Sequence, residues 1–251
     1  MEQKNYLATI LAIGLIIVVI ILALAKTKTG NGEEKRIVSV SGTSSLAVEP
    51  NKAEIYIKIT TLEKTAHDSK NRNSQVSSSA TKALKKEGIK DADIETSQFL
   101  ISPKYEYEET AEASSRKSRQ ILVGYKVTNV LKVTTQNLEK VGKLIDAAVD
   151  NGANDIERIT FGLTKQKENE IKKQVMIIAS DDAKEKAVAL ITNLGASLGR
   201  IISISESSFF YQPFEISSRE ALFEKAVAAE TEIGPQKIDV SATVSLVYEI
   251  I

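Results

Sequence analysis

Nineteen consecutive residues, Leu7 to Ala25 (LATILAIGLIIVVIILALA), carry no charge and a single hydroxyl, that of Thr9. Coiled as a helix at about 1.5 Å per residue, such a run crosses a hydrocarbon core of about 30 Å. It is apolar on every side, so it has no polar face to turn to water as a surface helix of a globular domain would. The expected organisation is a short tail (1–6), a transmembrane anchor (7–25), a linker (26–35) and one large domain (36–251). Ala23-Leu24-Ala25 has the small-x-small form of a signal-peptidase site, which makes a cleaved signal peptide the competing reading. The flanking charges pull the other way. Lys4 precedes the run, whereas Lys26, Lys28, Lys35 and Arg36 follow it, and that count alone would hold the domain in the cytoplasm.

Composition narrows the chemistry of the domain. Lys plus Arg equals Asp plus Glu at 33 each, so there is no global basic field to recruit nucleic acid, and no nucleic-acid partner is expected. There is no cysteine, which removes disulfides and thiolate chemistry alike and suits an oxidising exterior. A single histidine, His67, cannot build a multi-histidine metal site.

Residues 26–35 (KTKTGNGEEK) lack periodicity and fit a flexible tether. A strand is expected from Ile37 to Val48, then a turn at Glu49-Pro50-Asn51, then a strand with Ile55, Ile57 and Ile59 on one face, the two forming a hairpin. A helix over 66–87 carries Val76, Ala80 and Leu84, with Gly88 at its C-terminal end, and a strand from about Ile94 to Tyr107 follows. The pattern from Ile121 to Thr134 is a strand broken only by Asn129. The intervening EETAEASSRKSRQ reads as a solvated hairpin loop. Asn137 is placed to cap a helix with Leu138, Val141, Leu144, Ile145 and Ala148 on one stripe, ending at Asn151-Gly152. After a strand at about 155–163, a helix near 168–194 sets Ile171, Val175, Ala179, Ala183, Ala187, Leu190 and Leu194 along one side. Alanines four apart let it lie close on a sheet. A strand starts at Ile202, a short helix is expected around 221–229, and the last segment alternates strictly: Ile238, Val240, Ala242, Val244, Leu246, Tyr248 and Ile250 against a polar parity. The mixed order of about seven strands and three main helices predicts an α+β fold, its helices on one face of largely antiparallel sheets.

Each constellation that resembles a reactive site lacks a required part. Asp91, Asp93 and Glu95 imitate a calcium loop, but Thr96 stands where that loop needs glycine and Ser102 where it needs a bidentate glutamate. Asp181 and Asp182 project about 100° apart on a helix and form no catalytic dyad. Gly195 to Gly199 lacks the lysine of a phosphate loop and the third glycine of a dinucleotide fingerprint. Ser77 to Ser79 could in principle supply a Ser-Lys pair, yet nothing marks one. No catalytic, cofactor-binding or metal residues are therefore expected.

The string VSVSGTSSLAVEPNKAEIYIKI, with Gly42, Pro50 and Ala53, resembles the opening signature of the SIMPL-domain family, in which a strand leads through Val-x-Pro-Asp-x-Ala into a second strand. Further matches keep the family's order: Gly88 with Ile94 and Thr96, Pro103 and Tyr105, Gly124-Tyr125, Gly152-Ala153-Asn154 with Ile156, Leu198-Gly199 and the closing ATVSLVYEI. Asn51 departs from the family's usual Asp, which argues against a required carboxylate there. The resemblance implies an exported α+β domain related to bacterial periplasmic antigens and an oxidative-stress defence protein. It also implies a tendency to self-assemble, and it brings no established catalytic set. Two functions are then in play. One is a non-catalytic, single-pass protein of the cell membrane with its large domain on the extracytoplasmic side, acting as a homo-oligomer or with an envelope partner. Its expected contacts are the final strand and the 104–119 hairpin. The alternative is an exported hydrolase or small-ligand binder with a site of unrecognised form.

Overall fold

Twelve consecutive residues of β1 (Ile37–Val48) pair antiparallel with β8 (Ile238–Ile250), and β6 (Leu198–Tyr211) pairs with the other edge of β8 to complete a three-stranded sheet ordered β1-β8-β6. The computed structural model describes residues 36–112, 115–217 and 233–251. The other elements are β2 (Lys52–Glu63), α1 (Ala66–Lys86), β3 (Ile94–Glu112), β4 (Ser115–Thr135), α2 (Val141–Val149), β5 (Asp155–Gly162), α3 (Lys165–Thr192) and β7 (Phe214–Ile216). Five of the strands form a second sheet in the order β3-β4-β2-β5-β7, with every neighbouring pair antiparallel.

Both sheets are built by alternation. In β8 the residues Ile238 to Tyr248 of one parity are buried, and in β2 the same holds for Ala53, Ile55, Ile57 and Ile59. Helix α3 covers β1 and β8, while α1 and α2 cover the five-stranded sheet, so among the described residues each sheet keeps one face without a helix. A third cluster, with Val48, Leu163, Ile171, Val175 and Ile238, joins the two layers. Phe214 contacts both sides of that joint and stacks on Phe161 with ring centroids 6.2 Å apart.

Gly42 explains how close α3 comes. A Cβ placed on it would lie 1.9 Å from the Ala179 carbonyl oxygen and 2.4 Å from the Ala183 nitrogen, so the alanine stripe of α3 rests directly on β1. The stripe runs Ile171, Val175, Ala179, Ala183, Ala187, Ile191, all buried. Leu190 and Leu194, expected on it, are exposed instead. Residues four apart drift about 40° per step round a helix, and a helix laid on a twisted sheet keeps contact along such a winding line. The next member after Ala187 is therefore Ile191.

Two other expectations are corrected. β1 and β2 do not form a hairpin; they belong to different sheets. The turn at Pro50 sends the chain across the joint because the Asn51 N–H donates to the Gly162 carbonyl (3.0 Å), and the Asn51 side chain is tied to Thr164. Asn137 makes no side-chain cap. The chain passes through a 3-10 turn at Leu138–Lys140 before α2 starts, and the Asn137 N–H donates to Thr135 Oγ1 (3.1 Å). Gly88, Gly152 and Gly195, each placed at a helix end, all have positive φ. The 7–25 run and the helix expected at 221–229 lie outside the described residues. Among the described residues no helix is long and apolar enough to cross a membrane.

Candidate binding surfaces

The residues singled out for chemistry are held in structural roles. His67 is exposed in the first turn of α1 and its Nε2 lies 2.9 Å from Asn71 Nδ2. Asp91 pairs with Lys85 and Glu95 with Lys132, so the first and last acids of the calcium-like string turn to separate lysines. Among the described residues no group of three or more His, Cys, Asp or Glu side chains could hold a metal ion. Ser77 accepts from Asn129 Nδ2 (3.2 Å) and Ser79 donates to Asn151 Oδ1 (3.1 Å), both fastening α1 to its surroundings. Asn51 accepts the Thr164 N–H at its Oδ1 (2.7 Å) and donates through Nδ2 to Thr164 Oγ1 (3.1 Å). Thr164 is in turn the N-cap of α3, accepting the Lys167 N–H. The position is thus a clasp between the sheets.

Asp182 was missed by sequence reasoning as anything but half of a carboxylate pair. Its Oδ2 accepts from Lys186 Nζ (2.7 Å) and from the backbone N–H of Thr43 (2.7 Å), and Lys186 also reaches the Ser41 carbonyl (3.3 Å). The hydrogen bond from Lys186, with that from Thr43, holds the Asp182 carboxyl below the usual carboxylate range. Together the two side chains occupy the outward-pointing N–H of Thr43 and C=O of Ser41, and so block the middle of that sheet edge.

The helix-free face of the five-stranded sheet carries a row of charged and aromatic side chains. Lys132, Tyr56 and Arg158 are register partners on three adjacent strands, and Glu95 extends the row from β3. Arg158 lies over the Tyr56 ring at 3.5 Å, and Tyr56 donates to Glu54 Oε2 (3.3 Å). The hydrogen bond to Glu95 holds Lys132 above the ordinary lysine value. Burial works against the Arg158 charge, but Tyr56 and the carboxylates of Glu157 and Glu215 more than offset it. The free face of the three-stranded sheet is hydroxylated: Ser245 Oγ lies 3.0 Å from Ser41 Oγ and 2.8 Å from Ser207 Oγ. Two hollows among the described residues lie on helix surfaces. One of about 460 Å³ is lined by Asp181, Lys184, Glu185, Val188 and Ala189, and one of about 360 Å³ lies between α1 and α2 beside Ser79 and Asn151.

The four sheet edges differ in how they end. β1 is blocked at its middle by Asp182 and Lys186, β7 has only three residues, and β6 shifts register three times along β8. β3 is nineteen residues long, and no other described strand pairs with its outer edge. Its segment Gln98 to Pro103 has no charge, and Phe99, Leu100 and Ile101 are exposed. β2 ends opposite Tyr125, so beyond that point β3 and β4 continue alone as a two-stranded ribbon with Tyr105, Tyr107, Ile121 and Leu122 exposed. Gly124 marks the departure, since a Cβ there would lie 2.4 Å from the Glu63 carbonyl oxygen. The expected loop at 108–120 is largely strand. The final strand, expected to offer an edge, lies between β1 and β6 with both edges paired, leaving only its half-buried Ser, Thr and Val parity for contact.

The SIMPL family model, described as a protein of unknown function (DUF541), matches residues 38–248, from β1 into the last residues of β8. The chain belongs to the SIMPL family. Its similarity to the 26 kDa periplasmic immunogenic protein of Brucella melitensis is 27% identity over 217 residues, covering 85% of this chain and 84% of that one. The uncharacterized protein YggE of Edwardsiella ictaluri is 27% identical over 176 residues, 70% of each chain. YggE of Escherichia coli K12 is 25% identical over 176 residues, 70% of this chain and 68% of the relative.

Proposed function

We propose that this SIMPL protein is a non-catalytic component of the cell envelope, anchored through residues 7–25 with its domain outside the cytoplasm, and that it works by assembling with copies of itself through β3. Export is supported by the periplasmic relative named above and by the signal-like apolar run. The observation that carries assembly is the contrast between edges. β3 is the longest of the described edge strands and is uncharged from Gln98 to Pro103, with register shifts only before and after that stretch, while Asp182 and Lys186 sit on the outer edge of β1. Unpaired N–H and C=O groups on such an edge bind another extended strand, and an edge can pair with its own copy about a twofold axis. The ribbon beyond Gly124 adds aromatic and aliphatic area of the kind that anchors interfaces.

A photo-reactive residue placed at Leu100 or Tyr107 of the full chain tests this in membranes. An adduct of two copies is expected at both positions, and none when the same residue replaces Ser45 on the opposite sheet. Adducts only to a protein of another size would overturn self-assembly in favour of a different envelope partner.

A further inference from the structure

The two ends of the three-stranded sheet differ: one mixes exposed charges with the exposed Phe210 ring, and the other gathers exposed aliphatic side chains beside the Arg200–Glu249 ion pair. At the first end stand Ala47, Glu49, Lys237 and Asp239, all exposed. At the other end, Ser197 and Ile251 exchange backbone hydrogen bonds (2.7 and 3.0 Å) and the Ile250 N–H donates to the Arg36 carbonyl (2.8 Å), which fixes the start of β1 beside the end of β8. Leu194, just past α3, hangs over this end with 81% of its surface exposed; Ile251 is 76% exposed and Ile37 53%. Leu190 in the last turns of α3 and Ile201 and Ile202 near the start of β6 are also exposed. An exposed apolar cluster of this kind marks an interaction site rather than scattered surface residues.

What covers it follows from where the chain enters. Arg36 belongs to this same end, and only residues 26–35 separate it from Ala25. A random-coil chain of ten residues has a typical end-to-end distance of about 18 Å. We infer that this end of the sheet rests on the lipid bilayer, with Leu194, Ile251 and Ile37 entering the interface; this depends on residues 7–25 being a retained anchor. Apolar side chains at an interface sink about 5–10 Å into the headgroup and acyl boundary, a depth that side chains at one end of a sheet can reach without unfolding. Arg36 is exposed beside them, placed for anionic headgroups. Helix α3 then rises from the membrane, and its far end at Lys165 stands about 40 Å higher at 1.5 Å per residue.

The chain has no tryptophan, so one introduced indole reports alone. Full-length Leu194→Trp and Lys165→Trp are each reconstituted in phosphatidylcholine/phosphatidylglycerol vesicles with and without brominated acyl chains. Flotation of the vesicles with their protein is scored first. The expected result is flotation of both, with bromolipid reducing the emission of Leu194→Trp about twofold or more and leaving Lys165→Trp unchanged. Ile37→Trp should follow Leu194→Trp and guards against a local effect of one substitution. Flotation with Leu194→Trp unquenched overturns the docking and leaves the anchor standing, and this includes a blue-shifted but unquenched indole, which would mean a second copy covers the site. Failure to float overturns both.

Discussion

Replacing Gly42 with alanine puts a methyl group into the backbone of α3. The added carbon would lie 1.9 Å from the Ala179 carbonyl oxygen, 2.4 Å from the Ala183 nitrogen and 2.8 Å from the Ala183 Cβ, where ordinary contact begins at 3.4 Å. Two of these three atoms are backbone, so no rotamer change relieves the clash, and the helix must retreat by about 1.5 Å, the difference between 3.4 and 1.9 Å. Retreat opens the contacts of Ala179, Ala183 and Ala187 with Val40, Val244 and Leu246, a whole core cluster. Overpacking of this kind costs about 1–3 kcal/mol where side chains can adjust, and a cost at or above about 3 kcal/mol is expected here. Urea unfolding of residues 30–251, followed by far-ultraviolet circular dichroism, measures it. Gly234→Ala, which meets nothing within 4 Å, is the control and should be close to neutral. A Gly42→Ala midpoint matching that control, with an unchanged slope, would refute the claim that α3 lies directly on β1.

The Asn51 clasp predicts that Asn51→Asp, which restores the residue usual in the family, stays within about 0.5 kcal/mol of the parent, because an aspartate can accept from both the Thr164 N–H and its hydroxyl. Asn51→Ala should lose about 1–3 kcal/mol in the same urea assay, since it leaves the Thr164 N–H without its acceptor. The Asp182 carboxyl titrates lower folded than unfolded, so its contribution is present above the unfolded value of about 3.8 and is lost as pH falls through the folded one. The stability gap between parent and Asp182→Asn should therefore be constant near neutrality and shrink below about pH 4, as read by chemical denaturation across pH. A gap that grows in acid would have the wrong sign.

Periodicity made the buried parities of β2 and β8 legible, because both strands lie against a helix on one face only. The alanines of α3 were legible for the same reason. The line from Ala187 to Ile191 was not, since Leu190 satisfies a 3.6-residue pattern equally well and only the twist of the sheet decides between them. The hairpin expectation failed because local turn chemistry at Pro50 is compatible with either reversal or crossover. The deciding partners, Gly162 and Thr164, lie more than a hundred residues away. In α1, buried Ser69 and Asn73 face the sheet, with Asn73 Nδ2 donating to the Ile59 carbonyl (3.0 Å), and polar residues in a helix carry no sign of such burial in sequence. The blocked edge of β1 and the open edge of β3 were equally hidden. Edge status is a property of strand order, which alternation does not encode.

The most direct test is the mass of the full chain in detergent micelles, by size-exclusion chromatography with light scattering, with the protein contribution separated from detergent and followed over a concentration series. The account predicts a protein mass about twice the 27.4 kDa of one copy, falling toward one copy when Leu100 and Tyr107 are both changed to lysine. A mass of one copy at every concentration would contradict it, and so would an assembly indifferent to the lysine pair.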